Sequence, residues 1–95
     1  MCDEWFEWHD RKARTNVRDH GVTFEEATKV FDDVHAVDDI DTSMDYGEER
    51  SIIIGMAAYD KLLVVVYVMK GERIRIISAR EADRHEQRKY YRQGG

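Results

Sequence analysis

Leu62-Leu63-Val64-Val65-Val66-Tyr67-Val68 is followed, after a short polar break, by Arg73-Ile74-Arg75-Ile76-Ile77-Ser78. The first run is apolar at every position and dense in β-branched residues, which predicts a central strand buried on both faces. The second alternates, with Ile74 and Ile76 on one face and Arg73 and Arg75 on the other. Lys70-Gly71-Glu72 between them reads as a hairpin turn. Outward from this pair, Arg50 to Ala57 is a strand built on Ile52-Ile53-Ile54 and ended by a turn at Asp60-Lys61. Val34 to Val37 fits a short strand, and the acidic residues after it read as a solvated loop through Gly47.

The N-terminal third is helical. Residues 4 to 8 form a short strand, and Asp10 is placed to cap a helix that ends at His20, with Gly21 as its C-terminal stop. Ala13 and Val17 are expected to face inward, beside a polar row of Lys12, Asn16 and His20. Thr23 and Glu26 have capping-box spacing, Val22 and Ala27 can staple the turn, and Phe24, Ala27, Val30 and Phe31 form one apolar stripe. Ser78 and Glu81 repeat the capping-box spacing and predict a last helix to about Tyr91. That helix is polar nearly all round, so core burial alone holds it weakly. The order β-α-α-β-β-β-β-α predicts an α+β fold, a small antiparallel sheet with two N-terminal helices and one C-terminal helix packed on one face.

Ninety-five residues are enough for a single domain, 1–95, with one modest core. At 42% hydrophobic and 37% charged, the chain is too apolar for a disordered tail and too charged for a membrane protein. Its longest apolar run is far short of the roughly 20 residues that cross a bilayer. No secretory signal opens the chain, Cys2 has no second cysteine to pair with, and the histidines at 9, 20, 35 and 85 lack standard metal-ligand spacing. A reducing cytoplasmic setting without metal or other cofactor is the expectation.

The net charge of −5 hides a segregation: eight acids and no base from Asp32 to Glu49, against eight bases and four acids from Lys70 to Arg92. The overall sign disfavours direct DNA binding, while the basic end suits a polyanion.

The series Phe6-Glu7-Trp8, Lys12-Ala13, Asn16, His20-Gly21-Val22, Phe24-Glu25-Glu26-Ala27 and Val30-Phe31-Asp32 resembles the front half of the BrnT family. Gly47-Glu48-Glu49-Arg50, Ile54-Gly55, Leu63 to Val66, Arg73 to Arg80, Ala82, Glu86 and Tyr90 resemble its back half, so the likeness covers roughly residues 4 to 91. The family commonly has Pro where this chain has Asp33. The resemblance implies a RelE-like fold and a ribonuclease toxin of a type II toxin–antitoxin system, which inhibits translation. It further implies neutralisation by a BrnA-type ribbon-helix-helix antitoxin, usually as a heterotetramer, with operator DNA reached only through the antitoxin.

Metal-free RNA cleavage needs a base for the 2′-hydroxyl, fixed cations for the phosphorus oxygens and an acid for the leaving 5′-oxygen. Arginine suits the second task, because its planar fork matches phosphate oxygens and keeps its charge. Arg75 and Arg80 are the main candidates, with Arg80 expected beside the last helix N-terminus. Each has a structural alternative, a cross-strand pair with a carboxylate such as Glu49 for Arg75 and a surface bridge to Glu81 or Asp83 for Arg80. Arg50 completes the arginine set, with Glu49 beside it as base or orienter. His20 is a candidate because imidazole as a side-chain type can act as base or acid, but it equally suits a helix C-terminus. Glu86 and Tyr90, four apart, can form an acid–base set, or Tyr90 can pack its ring on the sheet. Lys12, Asn16 and Arg73 are RNA-binding candidates or solvated side chains. Trp5 and Trp8 can stack a base, but an offset of three along a strand puts them on opposite faces, so at least one is expected in the core. The competing reading is an inactive module that binds the antitoxin and serves promoter autoregulation.

Overall fold

The apolar run takes the centre of a five-stranded sheet ordered β1-β5-β4-β3-β2. In a computed structural model, which describes residues 5–41, 50–58 and 60–94, the strands are β1 (Phe6–Glu7), β2 (Val37–Asp41), β3 (Arg50–Met56), β4 (Leu62–Lys70) and β5 (Arg73–Glu81). The helices are α1 (Asp10–His20), α2 (Phe24–Thr28), which continues as a 3-10 turn at Lys29–Asp32, and α3 (Arg84–Gly94). The chain order is the expected one.

Three features depart from the expected sheet. β1 pairs with β5 in parallel, Phe6 opposite Ile74 and Glu7 opposite Arg75, while all other pairs are antiparallel. A β1 so early in the chain meets β5 only through the fold, and nothing local encodes its direction. The second strand begins at Val37 and runs to Asp41, so four residues assigned to the acidic loop, 38–41, join Val37 in an edge strand against β3. Val34, expected at a strand start, is 90% exposed in the turn before it. Residues 42–49, with the rest of that loop and Glu49, lie outside the described residues.

The helices cover both faces, not one. Val22, Phe24, Ala27 and Val30 from the N-terminal helices pack on Ile53, Leu63, Val65, Ile76 and Ala79. Ala82 and Tyr90, around α3, pack instead on Ile54, Leu62 and Val64. The continuous apolarity of Leu62 to Val65 is thus explained by two cores, one on each side of the strand.

Local chemistry sets the element ends. Gly21 takes φ 69°, and its amide donates to the Val17 carbonyl at 2.8 Å, closing α1 in the left-handed conformation that glycine tolerates. The N-cap of α1 is His9, and Asp10 is instead the first helical residue, where its charge suits the helix dipole. The capping box at Thr23 and Glu26 forms with both reciprocal bonds. That at Ser78 and Glu81 does not. β5 runs on through Glu81, and Asp83 with Glu86 makes the reciprocal bonds that start α3. At Gly55 a Cβ would lie 2.7 Å from Val30 Cγ1, so only glycine lets the 3-10 turn press onto β3.

Asn16, not Val17, is the buried member of the α1 face: Asn16 is 5% exposed and Val17 46%. Its Nδ2 donates to the Ala79 carbonyl at 2.7 Å and to the Val22 carbonyl at 2.8 Å, and its Oδ1 accepts from the Ala79 amide at 3.1 Å. The carboxamide therefore pairs with β5 as a neighbouring strand would, beyond the two residues that β1 covers. This corrects the expectation of Asn16 as an RNA contact, since its hydrogen bonds are committed to backbone. Asn16→Ala leaves three buried backbone groups without partners and is expected to lower unfolding free energy by about 2–4 kcal/mol. Urea denaturation of the two proteins measures the difference.

Candidate active site

Strand alternation would put Arg75 and Arg80, five apart, on opposite faces. They share a face because β5 carries a β-bulge. Val66 pairs with Ser78 but Tyr67 pairs with Ile76, so Ile77 is an extra residue. Ile76 and Ala79 both enter the core beneath α1 and α2. Arg73, Arg75, Ser78 and Arg80 consequently lie on the other face, that of α3, opposite Lys70, Val68, Val66 and Val64. Arg50, at the start of β3 and opposite Asp41, has the parity of Ile52 and Ile54 and belongs to the same face. Arg75 and Arg80 are separated by four residues of β4, about 14 Å at strand rise.

Each of these two arginines is held by a carboxylate that the sequence reading did not pair with it; Glu49 lies outside the described residues. Arg75 Nε and Nη2 both donate to Glu7 Oε2, at 2.7 and 2.6 Å, across the parallel β1–β5 pair. Arg80 meets Glu86 fork to fork, Nη1 to Oε1 at 2.7 Å and Nη2 to Oε2 at 2.6 Å. Both guanidinium groups remain partly exposed, with 35% and 43% of their side chains accessible. The Glu86 pair raises Arg80 above the usual arginine range. In return Arg80 holds the Glu86 carboxyl below the usual carboxylate range, helped by the Asp83 amide and against burial. Glu86 is therefore a fixed anion that orients Arg80 and caps α3. This corrects its reading as a proton-transfer group.

Tyr90 is also committed. Its hydroxyl donates to Asp33 Oδ2 at 2.6 Å, and its ring is buried in the α3 core. The hydrogen bond to Asp33, with burial added, pushes the phenol up to about 12, away from any proton-transfer role near neutrality. Asp33 Oδ2 also accepts from the Met56 amide at 2.7 Å, and Oδ1 from the His35 amide at 2.9 Å. Burial raises the Asp33 carboxyl, but the Tyr90 hydroxyl and the two amides outweigh it and hold the group below its ordinary value. Asp33 thus ties α3, the end of β3 and the turn before β2 together, a role that the sequence does not announce.

His20, Lys12, Asn16 and Ser78 line one groove of about 310 Å³ between α1 and the bulged part of β5, with Arg11, Thr15, Asp19 and Ile77. His20 and Lys12 are exposed there, His20 in the last turn of α1. Ser78, read from sequence only as a helix cap, is where this groove meets the arginine face. Arg73 is exposed near the hairpin. Trp8 packs edge-on to Phe24, centroids 5.8 Å apart, whereas Trp5 is 58% exposed. Among the described residues no three His, Cys, Asp or Glu side chains are grouped to hold a metal ion, and no helix is long and apolar enough to cross a membrane.

This small α+β domain carries Arg75, Ser78 and Arg80 on the sheet face of α3, beside a groove lined by Lys12 and His20, so its fixed cations are placed where an anion can reach them. The family model for BrnT, the ribonuclease toxin of type II toxin–antitoxin systems, matches residues 8–86, and the chain belongs to that family. The crystal structure of the Brucella abortus ribonuclease toxin BrnT superposes with a TM-score of 0.61 at 19% identity, covering 84% of this chain and 99% of that one. Comparison with curated proteins gives no match.

The Asp33–Tyr90 pair gives stability a defined pH window. Asp33 is lowered, so its contribution is present above the unfolded carboxyl value and fades as pH falls through the folded one. Tyr90 is raised, so its contribution is present below the unfolded phenol value and fades as pH rises through about 12. Tyr90→Phe is expected to cost about 1–3 kcal/mol near neutrality and to weaken the alkaline loss. Urea melts across pH measure both.

Proposed function

We propose that this chain is an endoribonuclease that cleaves RNA without a metal ion and thereby inhibits translation in the cytoplasm. The alignment of Arg75, Ser78 and Arg80 on one sheet face by the Ile77 bulge is the observation that supports this most. Family membership supports RNA as the substrate. In this reading His20 takes the proton of a 2′-hydroxyl as that oxygen attacks phosphorus. The arginine face stabilises the charge gathered on the phosphorus oxygens, and a water molecule protonates the departing 5′-oxygen. The products are a 2′,3′-cyclic phosphate and a 5′-hydroxyl. Glu7 and Glu86 keep the guanidinium forks oriented, which lowers the reorganisation needed when a phosphate arrives. Arg50, Lys12 and Arg73 add charge along the strand's path.

Neutralisation is assigned to a BrnA-type antitoxin, two toxins with two antitoxins, with operator DNA bound through the antitoxin. The carboxylate partners of Arg75 and Arg80 favour a second reading, a chain that retains antitoxin binding but no cleavage. One experiment separates the two. Purified protein is incubated with RNA in EDTA beside Arg75→Ala and Arg80→Ala, with Arg80→Lys to keep the charge without the fork. Cleavage in EDTA, reduced about 10²- to 10³-fold by either alanine and poorly restored by lysine, supports the nuclease. Intact RNA, with antitoxin binding retained, supports the module. Cleavage that EDTA abolishes overturns metal independence.

A further inference from the structure

Trp5 lies at the end of the arginine face with no role in the chemistry above. Its backbone carbonyl accepts from the Ile74 amide at 2.8 Å, which fixes it beside the start of β5. Phe6 points into the aromatic group under α1 and α2, where it meets Phe31 at 5.3 Å. Glu7, on the other side, meets Arg75. By alternation Trp5 shares the face of Glu7 and therefore of Arg73 and Arg75. With Lys70, Glu72 and Arg73 it lines an open hollow of about 400 Å³. Arg73 is two residues from Arg75 on the same face, about 7 Å along the strand.

The exposed indole of Trp5 stands beside Lys70, Glu72 and Arg73 in that hollow. Two cations and one carboxylate around an aromatic plane match one ligand chemistry well. A nucleobase can stack on the ring while flanking phosphates meet Lys70 and Arg73, and Glu72 can accept from an amino group on the base edge. A duplex cannot offer that base face, so the strand must be single.

We propose that Trp5, Lys70 and Arg73 form a base-stacking subsite for single-stranded RNA, one step along β5 from Arg75. The subsite rests on the reading of this chain as an RNA-binding nuclease but is tested apart from cleavage. The probe is a short 2′-O-methyl oligoadenylate, which lacks the attacking hydroxyl and stays intact. Titration of the wild-type protein is expected to quench tryptophan fluorescence, and the quench is expected to be lost in Trp5→Ala, which keeps Trp8 packed against Phe24. Trp5→Ala is expected to weaken binding about 10-fold, within the range for loss of one stacked base. Trp5→Phe restores most of it. On cleavable RNA, Trp5→Ala raises KM and leaves kcat near wild type, with an unchanged thermal melt. Equal affinity of Trp5→Ala and wild type for the probe overturns the subsite even where wild-type protein cleaves RNA. Absence of binding by wild type overturns it as well. Trp5-dependent binding without cleavage upholds the subsite and defeats the nuclease reading.

Discussion

The bond between the Asn16 carboxamide and the backbone of Ala79 governs the architecture. β1 covers only two residues of the outer edge of β5, and the strand runs on for six more. A bare edge beside a helix would leave an amide and a carbonyl buried without partners, at a cost comparable to that of lost hydrogen bonds. Asn16 satisfies both from α1, and with its remaining N–H it holds the chain at Val22 where α1 gives way to α2. One side chain thereby docks the first helix and closes the sheet edge. It also fixes the strand's orientation two residues past the bulge.

That orientation carries the electrostatics of the opposite face. With Ala79 held toward the core, Ser78 and Arg80 must face α3, and Arg75 joins them because Ile77 absorbs the change of parity. The acids that meet these arginines come from far apart in the chain, Glu7 from the first strand and Glu86 from the last helix. Glu86 serves two ends at once, Arg80 and the Asp83 amide, so the charge of the face and the start of α3 depend on each other. A helix that buries little apolar surface is thus secured at one end by this cap and at the other by the Tyr90–Asp33 bond.

Much of the scaffold was legible from residues alone. The run from Leu62 to Val68 declares a central strand through its composition, the Thr23–Glu26 spacing declares a helix start, and Gly21 declares a helix stop. What was not legible depends on tertiary geometry. The parallel register of β1 needs β5 already in place. A bulge has no sequence mark beyond a doubled Ile76-Ile77, so Arg80 looked like a helix residue when it is a strand residue. Asn16 looked like the middle of a polar row because helical periodicity cannot tell an amide facing water from one facing a bare strand edge. Glu86 and Tyr90 had the spacing of an acid–base pair, but each is spent on a contact 6 or 57 residues away. Trp5 and Trp8 divide as expected, one to core and one to surface.

The irregularity at Ile77 also bears on how this chain can vary through evolution. The stretch from Arg73 to Glu81 behaves as a fixed count. Loss of one residue there restores strict alternation and inverts one half of the strand relative to the other. Either the isoleucines that seal the interior or the cations on the exterior then point the wrong way. A point substitution along this strand leaves its parity intact, whereas an insertion or deletion within it shifts the parity of everything beyond.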